Sequence, residues 1–568
     1  MTIFYNGNTF KYEMENILKL FYPVRRFQHV YESREYPADE YVSIDVTPSG
    51  DSVSDLSVTV KKGDRFRTLK TSNHPEADAE MECARLLYRI LHELTGVRPQ
   101  WGILTGIRPV KWVQRRLSAG KTPEEIRREF EEELYMAPEK IDLSFRIAEA
   151  QKDILADNAP KDFSLYVSIP YCPSRCSYCS FVSHAITGQK ARALVPEYLN
   201  KLVKEIAFTA EISRKIGLRL RTVYIGGGTP TALSAEELRQ VTDAIAANFP
   251  LADGVEYTIE AGRADTITEE KLRVIREAGA TRISINPQTF EDSVLEAIGR
   301  KHTGQQVVGC YELARKMGFS SINMDLIAGL PSDNYEGFCR SVDKAVSLDP
   351  ENITVHTLSL KRSSALFQQM SGDEDYSAVQ KMVEYAYRAL TSAGYEPYYL
   401  YRQKNTRGNL ENVGYAKPGH FGKYNVYIMD EIQTILAAGA GAVTKIVLPG
   451  DIERLRLPAE GLGLAVELLN PLNADMSVMR QSIVPGLLRS VAYNQARGVK
   501  NIQLYEIGTV FAAAEGRKKA KERKKLAGVL AGSMRDGAWN APAVPFDFFD
   551  AKGVVEELLD TLRVTKVR

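Results

Sequence analysis

The sequence predicts an α/β fold: a parallel β-sheet, closed or partly closed as a barrel, with a smaller region on either side. Two observations carry this. From about residue 160, short apolar β-rich runs alternate with amphipathic helical stretches, the pattern of βαβ units. The chemically distinctive residues fall just where those runs end, and ligand chemistry on a parallel sheet collects at the carboxyl ends of its strands. A third observation limits the prediction: the chain changes character near residue 450.

Residues 1–155 read as a small α/β extension. VSIDVT and LSVTVKK alternate as strands do, while MECARLLYRILHEL and PVKWVQRRL carry apolar residues at helical spacing. TPEEIRREFEEELYM opens on Thr122-Pro123-Glu124-Glu125, a helix start whose Thr can cap and whose acids suit the dipole. No chemistry is expected here, and Arg108, Arg115 and Arg116 are expected on a solvated face. Residues 156–345 form the core. FSLYVSIP, RTVYIGG, VEYTIEA, ATRISIN, SINMDLIAG and NITVHTLSL supply strands, the last lying just past 345. EYLNKLVKEIAFTAEI, AEELRQVTDAIAANF, ITEEKLRVIREAG, DSVLEAIG and QVVGCYELARKMG supply helices. Residues 346–450 continue the same region, and 451–568 form a separate C-terminal part.

The 568 residues carry 73 basic and 72 acidic side chains. That balance argues against a chain-wide nucleic-acid footprint. No apolar stretch reaches the length of a membrane helix, and the amino terminus lacks the pattern of a signal peptide. Six cysteines, Cys83, Cys310 and Cys339 scattered and the others clustered, suit a reducing cytoplasm rather than a disulfide-stapled exterior. No membrane partner is expected, and the protein is expected to be a monomer.

Cys172, Cys176 and Cys179 fall within eight residues in CPSRCSYC. Three thiolates in a short loop suit a [4Fe–4S] cluster with one iron left open to a ligand. Ordinary buried thiols and a zinc site are the alternatives. Zinc would want a fourth ligand or histidines, and His184 stands without a second one. Gly226-Gly227-Gly228-Thr229-Pro230 follows the second strand. A tight turn explains such a run; beside a cluster, its bare backbone could also hydrogen-bond the amino and carboxyl groups of a small zwitterion. Glu260 ends the third strand, Gln288 follows the fourth and Asp325 lies in the fifth.

Taken in order, LYVSIPYCPSRCSYCSF, YIGGGTPT, TIEAGRADTI, RISINPQTF, IGRKHT and NMDLIAGLP resemble radical S-adenosylmethionine (SAM) enzymes. Within them the sequence is most similar to the oxygen-independent coproporphyrinogen III oxidase family, in its longer branch with an amino-terminal extension. The resemblance spans roughly residues 1–450 and implies a radical SAM partial (β/α) barrel. It implies that Cys172, Cys176 and Cys179 hold the cluster and that SAM chelates the fourth iron. Tyr166 would contact SAM, Tyr178 would line its adenine, and Gly227, Gly228 and Thr229 match the family's GGTP turn. Glu260 would contact the first SAM; Gln288, Arg300 and Asp325 match residues around a second, so one or two SAM molecules are implied. The implied reaction converts two propionates of coproporphyrinogen III into vinyl groups, giving protoporphyrinogen IX, and needs an electron donor and an acceptor that the sequence does not identify. YEPYYLYRQK, from Tyr395 to Lys404, offers tyrosines with Arg402 and Lys404 for the substrate's carboxylates. One departure is Phe181, where the oxidases commonly carry a fourth cysteine. Related haem chaperones share that lack, so a haem-binding protein without decarboxylase activity is the alternative.

After about residue 450, MSVMRQSIVPGLL and YEIGTVF resemble the phenylalanyl-tRNA synthetase β subunit over roughly 460–563. The resemblance implies a fragment of a class II synthetase-like α+β core without catalytic residues, joined by fusion of two reading frames. It is expected to pack poorly and to be dispensable for the radical chemistry. A synthetase-subunit fragment assembling with RNA-binding partners is the remaining functional alternative. The basic run AAAEGRKKAKERKKLAG is expected to be a solvated loop rather than an RNA site, since no aromatic residues interleave its charges.

Overall fold

The computed structural model describes the chain apart from residues 23–24, 34, 38, 49–53, 74–77, 107, 180, 182, 187, 252–253, 360–363, 365, 367–376, 404–405, 447–465, 467–478, 496, 514–519, 536–541 and 564–568. It divides into two compact units, Met1–Val447 and Leu448–Arg568. No helix among the described residues is long and apolar enough to cross a membrane.

The first unit opens with a five-stranded sheet of β1 (Thr2–Asn6), β2 (Gln28–Tyr31), β3 (Glu40–Pro48), β4 (Ser54–Lys62) and β5 (Arg65–Asn73), in the order β2-β1-β3-β4-β5. β1 pairs in parallel with both its neighbours, while β3 to β5 form an antiparallel meander. Helices α1 (Lys11–Phe21) and α2 (Ala79–Thr95) bury one apolar stripe each, Met14, Ile17 and Leu18 in the first and Leu87, Ile90 and Leu91 in the second. Helices α3 (Val110–Ser118), α4 (Pro123–Arg128) and α5 (Pro138–Ala156) follow. Thr122 caps α4 in a capping box with Glu125, but the helix continues only as a π-helical turn over Glu129–Glu133. The arginines expected on a solvated face are engaged. Arg108 pairs with Glu431, and Arg116 pairs with Glu129 at 2.7 Å while lying 4.6 Å over the Trp112 ring.

The second sheet has nine strands. They are β6 (Asp162–Ile169), β9 (Arg219–Gly227), β10 (Glu256–Glu260), β11 (Arg282–Ser284), β12 (Ile322–Ala328), β13 (Asn352–Thr357), β14 (Glu396–Arg402), β15 (Glu411–Ala416) and β16 (Thr434–Ala438). A two-strand ribbon, β7 (Tyr171–Cys172) with β8 (His184–Ala185), interrupts the series after β6. The order is β14-β15-β13-β12-β11-β10-β9-β6-β16. The sheet is therefore open, with β14 and β16 at its ends. The seven strands from β16 to β13 run parallel, and β15 and β14 are added antiparallel. The helices between them begin on local signals: Ser234 and Thr303 form capping boxes, and Thr268 caps through its hydroxyl. One continuous apolar core runs from Ile3 to Ala438 and joins both sheets.

The second unit contains a long hairpin, β17 (Ile502–Ala512) with β18 (Lys521–Ala531), a short pair, β19 (Ser533–Arg535) with β20 (Val544–Pro545), and helices Val484–Gln495 and Phe548–Thr561. Part of the basic run expected as a loop, Lys521–Lys525, is the start of β18: its register with Ala512 to Gly508 extends the hairpin through the charged residues. Residues 514–519 of that run lie outside the described residues. Helix Phe548–Thr561 buries none of its side chains, and Phe548 and Phe549 are each 73% exposed. Exposed apolar clusters of this kind promote association. Deleting residues 448–568 is expected to leave the urea midpoint of the first unit unchanged and to raise solubility, read by sedimentation. A truncated chain that no longer unfolds cooperatively would make the tail part of the fold.

Candidate functional site

The thiol loop begins where β6 ends. Cys172 lies in β7, and the turn that follows carries Cys176 and Cys179, with the Cys179 amide donating to the Cys176 carbonyl at 3.1 Å. Backbone bonds pin the loop from outside: the Ser177 amide donates to the Ile298 carbonyl at 3.1 Å, and the Leu366 amide to the Ser177 carbonyl at 3.0 Å. All three thiols are free. Burial pushes the Cys179 thiol up, and Cys176 and Cys172 lie near enough to push it further. Among the described residues, no three His, Cys, Asp or Glu side chains close around a single ion. The loop keeps Cys172 and Cys176 close enough to Cys179 to act on its charge, and three neighbouring thiolates are the donor set of a [4Fe–4S] cluster with one open iron. Polar groups are aimed at the sulfurs as such a group requires: Thr229 Oγ1 donates to Cys172 Sγ at 3.5 Å, and Arg263 Nη1 stands 3.9 Å from Cys176 Sγ.

The glycine run serves the loop in a way the sequence did not indicate. The Gly228 amide donates to the Ile169 carbonyl at 2.8 Å and the Thr229 amide to the Tyr171 carbonyl at 2.7 Å. Those two donors are therefore spent on β6 and β7 and do not point at a zwitterion. A Cβ on Gly228 would fall 2.5 Å from the Tyr171 carbonyl oxygen, and Gly227 has φ +106°. Glycine is needed here so that the cysteine loop can lie against the end of β9.

Arg300 ties the loop to the neighbouring strands. It is 8% exposed; Nη1 donates to the Asn286 carbonyl at 2.6 Å and Nη2 to the Tyr178 hydroxyl at 3.3 Å. The Tyr178 ring packs against a small apolar cluster that includes Leu295, Ile298 and Leu366. Burial raises its phenol, with Arg300 opposing.

A second group lies one strand end away, separated from the loop by Gly226. A Cβ on Gly226 would meet Tyr224 Cε1 at 2.9 Å and the Glu260 carboxyl at 3.2 Å. The Tyr224 hydroxyl donates to Glu260 Oε1 at 2.5 Å. Burial, helped by the nearby Asp325, pushes the Glu260 carboxyl up to about 7 against the opposing Tyr224 hydrogen bond and His356. Asp325 goes the other way. Burial alone would raise it, but His356, Asn323 and Thr354 outweigh that and hold it below the usual carboxylate range. Asn323 Nδ2 donates to its Oδ1 at 2.8 Å, and His356 Nε2 lies 3.8 Å from its Oδ2. Tyr401 extends the chain, its hydroxyl 3.4 Å from His356 Nδ1. Tyr166 and Tyr224 stack with Tyr424, at 6.3 Å and 4.4 Å between ring centroids. Gln288 joins through its backbone. At φ +69° its amide donates to the Asp325 carbonyl at 2.8 Å and its carbonyl accepts from Ile327 at 2.9 Å, prolonging the β11–β12 pairing past Ser284.

The residues named from sequence therefore gather in two adjoining groups. Cys172, Cys176, Cys179, Tyr178, Thr229 and Arg300 form one, and Tyr166, Glu260, Gln288 and Asp325 the other, with Gly227 and Gly228 between them. Arg402 joins neither. It is 4% exposed, donates to the carbonyls of Leu104, Gly106 and Asn409, and lies 5.5 Å over the Trp101 ring, so its donors are unavailable to a substrate carboxylate. Burial lowers it to about 10, opposed by Glu411. Lys404 lies outside the described residues. Tyr395 and Tyr398 are buried in packing, while Tyr399 and Tyr401 reach the acidic group through Thr354 and His356. Sequence reasoning missed Arg263, Asp265 and His302, although they sit inside the quoted motifs GRAD and GRKH. It also missed Tyr224, His356 and Tyr424, which carry no short-range signal.

An open, mostly parallel sheet with three thiols at the end of its first core strand defines the radical SAM class. The Radical SAM superfamily profile matches residues 166–345, and the phenylalanyl tRNA synthetase beta chain CLM domain profile matches residues 445–568. An oxygen-independent coproporphyrinogen-III oxidase-like protein, HemZ of Bacillus subtilis (strain 168), is 38% identical over 449 residues, covering 76% of this chain and 88% of that protein. The heme chaperone HemW of the same strain is 34% identical over 280 residues, 49% of this chain and 70% of that protein. An anaerobic coproporphyrinogen III oxidase of Cereibacter sphaeroides is 30% identical over 237 residues, 41% of this chain and 51% of that protein. The chain belongs to the HemN/HemZ-like family of radical SAM coproporphyrinogen oxidases and oxidase-like proteins, and carries a synthetase β-chain CLM domain at its C-terminal end. Superfamily membership implies a [4Fe–4S] cluster and SAM.

Proposed function

We propose that this chain oxidatively decarboxylates propionate side chains of coproporphyrinogen III to vinyl groups, with Cys172, Cys176 and Cys179 holding the cluster. The observation that carries this reading is the match to an oxidase-like relative over 88% of that relative's length and 76% of this chain. When bound, the cluster and SAM supply a hydrogen-abstracting radical at the cost of one reducing electron; loss of CO₂ and one electron to an acceptor then completes the vinyl group. The chain's own part is to bind and to orient. Thr229 and Arg263 hold the sulfur side. Tyr166, Tyr224 and Tyr424 wall the adjoining space, and their stacked rings exclude water from it. Glu260 and Asp325 offer carboxylates to the ammonium group of an amino-acid ligand, with Glu260 keeping a proton near neutrality that a cationic ligand displaces.

Anaerobically reconstituted full chain, given SAM, a reductant and coproporphyrinogen III, is expected to release CO₂ and vinyl products. Cluster-loaded protein that cleaves SAM, releases no CO₂ and retains haem would replace this reading with a chaperone. Two points support that second reading: the heme chaperone relative, and Phe181, 64% exposed at the position where the family resemblance leads to the expectation of a fourth cysteine.

The Glu260 assignment has its own signature. SAM affinity should fall as pH drops from 8 to 6, because the proton on Glu260 competes with the ligand's cation below about 7. Glu260→Gln should weaken binding by about 1.5–3 kcal/mol at pH 8, the size of a charge-assisted hydrogen bond, and flatten the pH profile. Titration calorimetry on the reconstituted protein checks both. An unchanged profile removes Glu260 from the ligand.

A further inference from the structure

Cys176 has guanidinium neighbours, and one of them is held in place by a dedicated set of contacts. Arg263, just beyond β10, is 3% exposed. Its fork is fixed from behind: Nε donates to Asp265 Oδ1 at 2.9 Å and Nη2 to Asp265 Oδ2 at 2.7 Å. Asp265 is braced in turn by His302, whose Nδ1 lies 3.4 Å from Oδ1 and whose side chain is fully enclosed. Only Nη1 faces the thiol loop. It donates to the Ser174 hydroxyl at 2.9 Å and the Ser174 carbonyl at 3.1 Å, and reaches Cys176 Sγ at 3.9 Å. Arg300 also lies against Cys176, and Arg175 lies near Cys179. Arg300 bonds Cys176 as well as the Asn286 and Gly262 carbonyls and the Tyr178 hydroxyl, whereas the fork of Arg263 is fixed by Asp265.

We infer that Arg263 is a positioning residue that sets the reduction potential of the cluster, through its N–H directed at the Cys176 sulfur; the inference rests on the reading that Cys172, Cys176 and Cys179 hold that cluster. One-electron reduction adds negative charge to the iron–sulfur group. A buried hydrogen bond and a fixed positive charge at a ligating sulfur stabilise the reduced form and raise its potential. Asp265 and His302 are needed because an arginine with a free fork would turn toward nearer carbonyls rather than hold one N–H on a weak sulfur acceptor. Ser174 fixes the distance from the loop side.

The test is a dithionite titration of the full chain, reconstituted anaerobically without SAM and followed by electron paramagnetic resonance. Iron and sulfide are counted in the same samples. Arg263→Gln is expected to load iron as the parent does, with the reduced-to-oxidised ratio at a given potential falling about tenfold, a shift of about 59 mV for one electron. Arg263→Lys keeps the charge but not the fork, and should titrate between the two. An iron-replete Gln variant that titrates with the parent overturns the inference. If the Gln variant takes up no iron, the Lys variant decides: a potential below the parent's supports the inference, and an equal potential or a further loss of iron overturns it. A parent that forms no cluster at all would instead bring down the cluster assignment, an outcome visible before any variant is made.

Discussion

Cys176→Ala is expected to take iron and sulfide content to background and to abolish SAM cleavage. Cys172→Ala and Cys179→Ala should do the same. The argument is one of supply. A cluster on three thiolates has no redundant ligand on the protein, and no other thiol is placed to substitute. Cys83 is enclosed in the core beneath the first sheet, where burial pushes its thiol to about 12 and keeps it protonated. Cys310 bonds the Ala264 carbonyl at 3.5 Å, and Cys339 sits on a helix beside Tyr335. Replacing any of these three should leave cluster loading intact. Iron and sulfide analysis with 5′-deoxyadenosine detection separates the two sets. Parental iron in any variant of the clustered cysteines would refute the central assignment.

What was legible in the sequence was local. Six of the seven parallel strands appear as short apolar runs, three of the helices between them start on a Ser or Thr cap, and the chemistry-bearing residues mark the strand ends. What was not legible depends on distant pairings. β16 returns to lie beside β6, so the first core strand is not at the edge of the sheet, and nothing within residues 162–169 signals this. Tyr424 meets Tyr224 from 200 positions away. The glycine run shows the limit well. Its composition indicated a close approach, but whether a ligand or the chain's own backbone approaches depends on where the Ile169 and Tyr171 carbonyls lie. Arg402 is a similar case: a cation at the end of an aromatic strand reads as a ligand site until the carbonyls of Leu104 and Gly106 occupy it.

The largest loss of stability is expected from Lys140→Met, at about 3–5 kcal/mol, the cost of leaving a buried charge without its partner. Lys140 on α5 pairs with Glu411 at the start of β15; their side chains are 7% and 1% exposed. The Trp101 indole N–H donates to the other carboxylate oxygen at 2.7 Å. Burial alone would raise Glu411, but the Lys140 charge, its hydrogen bond and that of Trp101 hold the carboxyl below its ordinary range. The sign of the linkage follows: stability from this carboxylate is present above the unfolded value and lost as pH falls through the lower folded one. The pair joins the amino-terminal region to the nine-stranded sheet at a point 271 residues apart in sequence. The two regions also share one apolar core. Removing Lys140 strands the Glu411 charge in the interior. Removing both charges, in Lys140→Met with Glu411→Leu, should recover part of the loss, because the buried Arg402 then loses the carboxylate that supports its charge. The indole N–H left unpaired would retain about 1–3 kcal/mol of it. Urea unfolding followed through Trp101 and Trp112, which report on the first unit, reads both variants. A single variant within about 0.5 kcal/mol of the parent would mean that water or a rearranged side chain compensates Glu411. A double variant no better than the single would mean that the cost lies in packing around Trp101 rather than in the stranded charge.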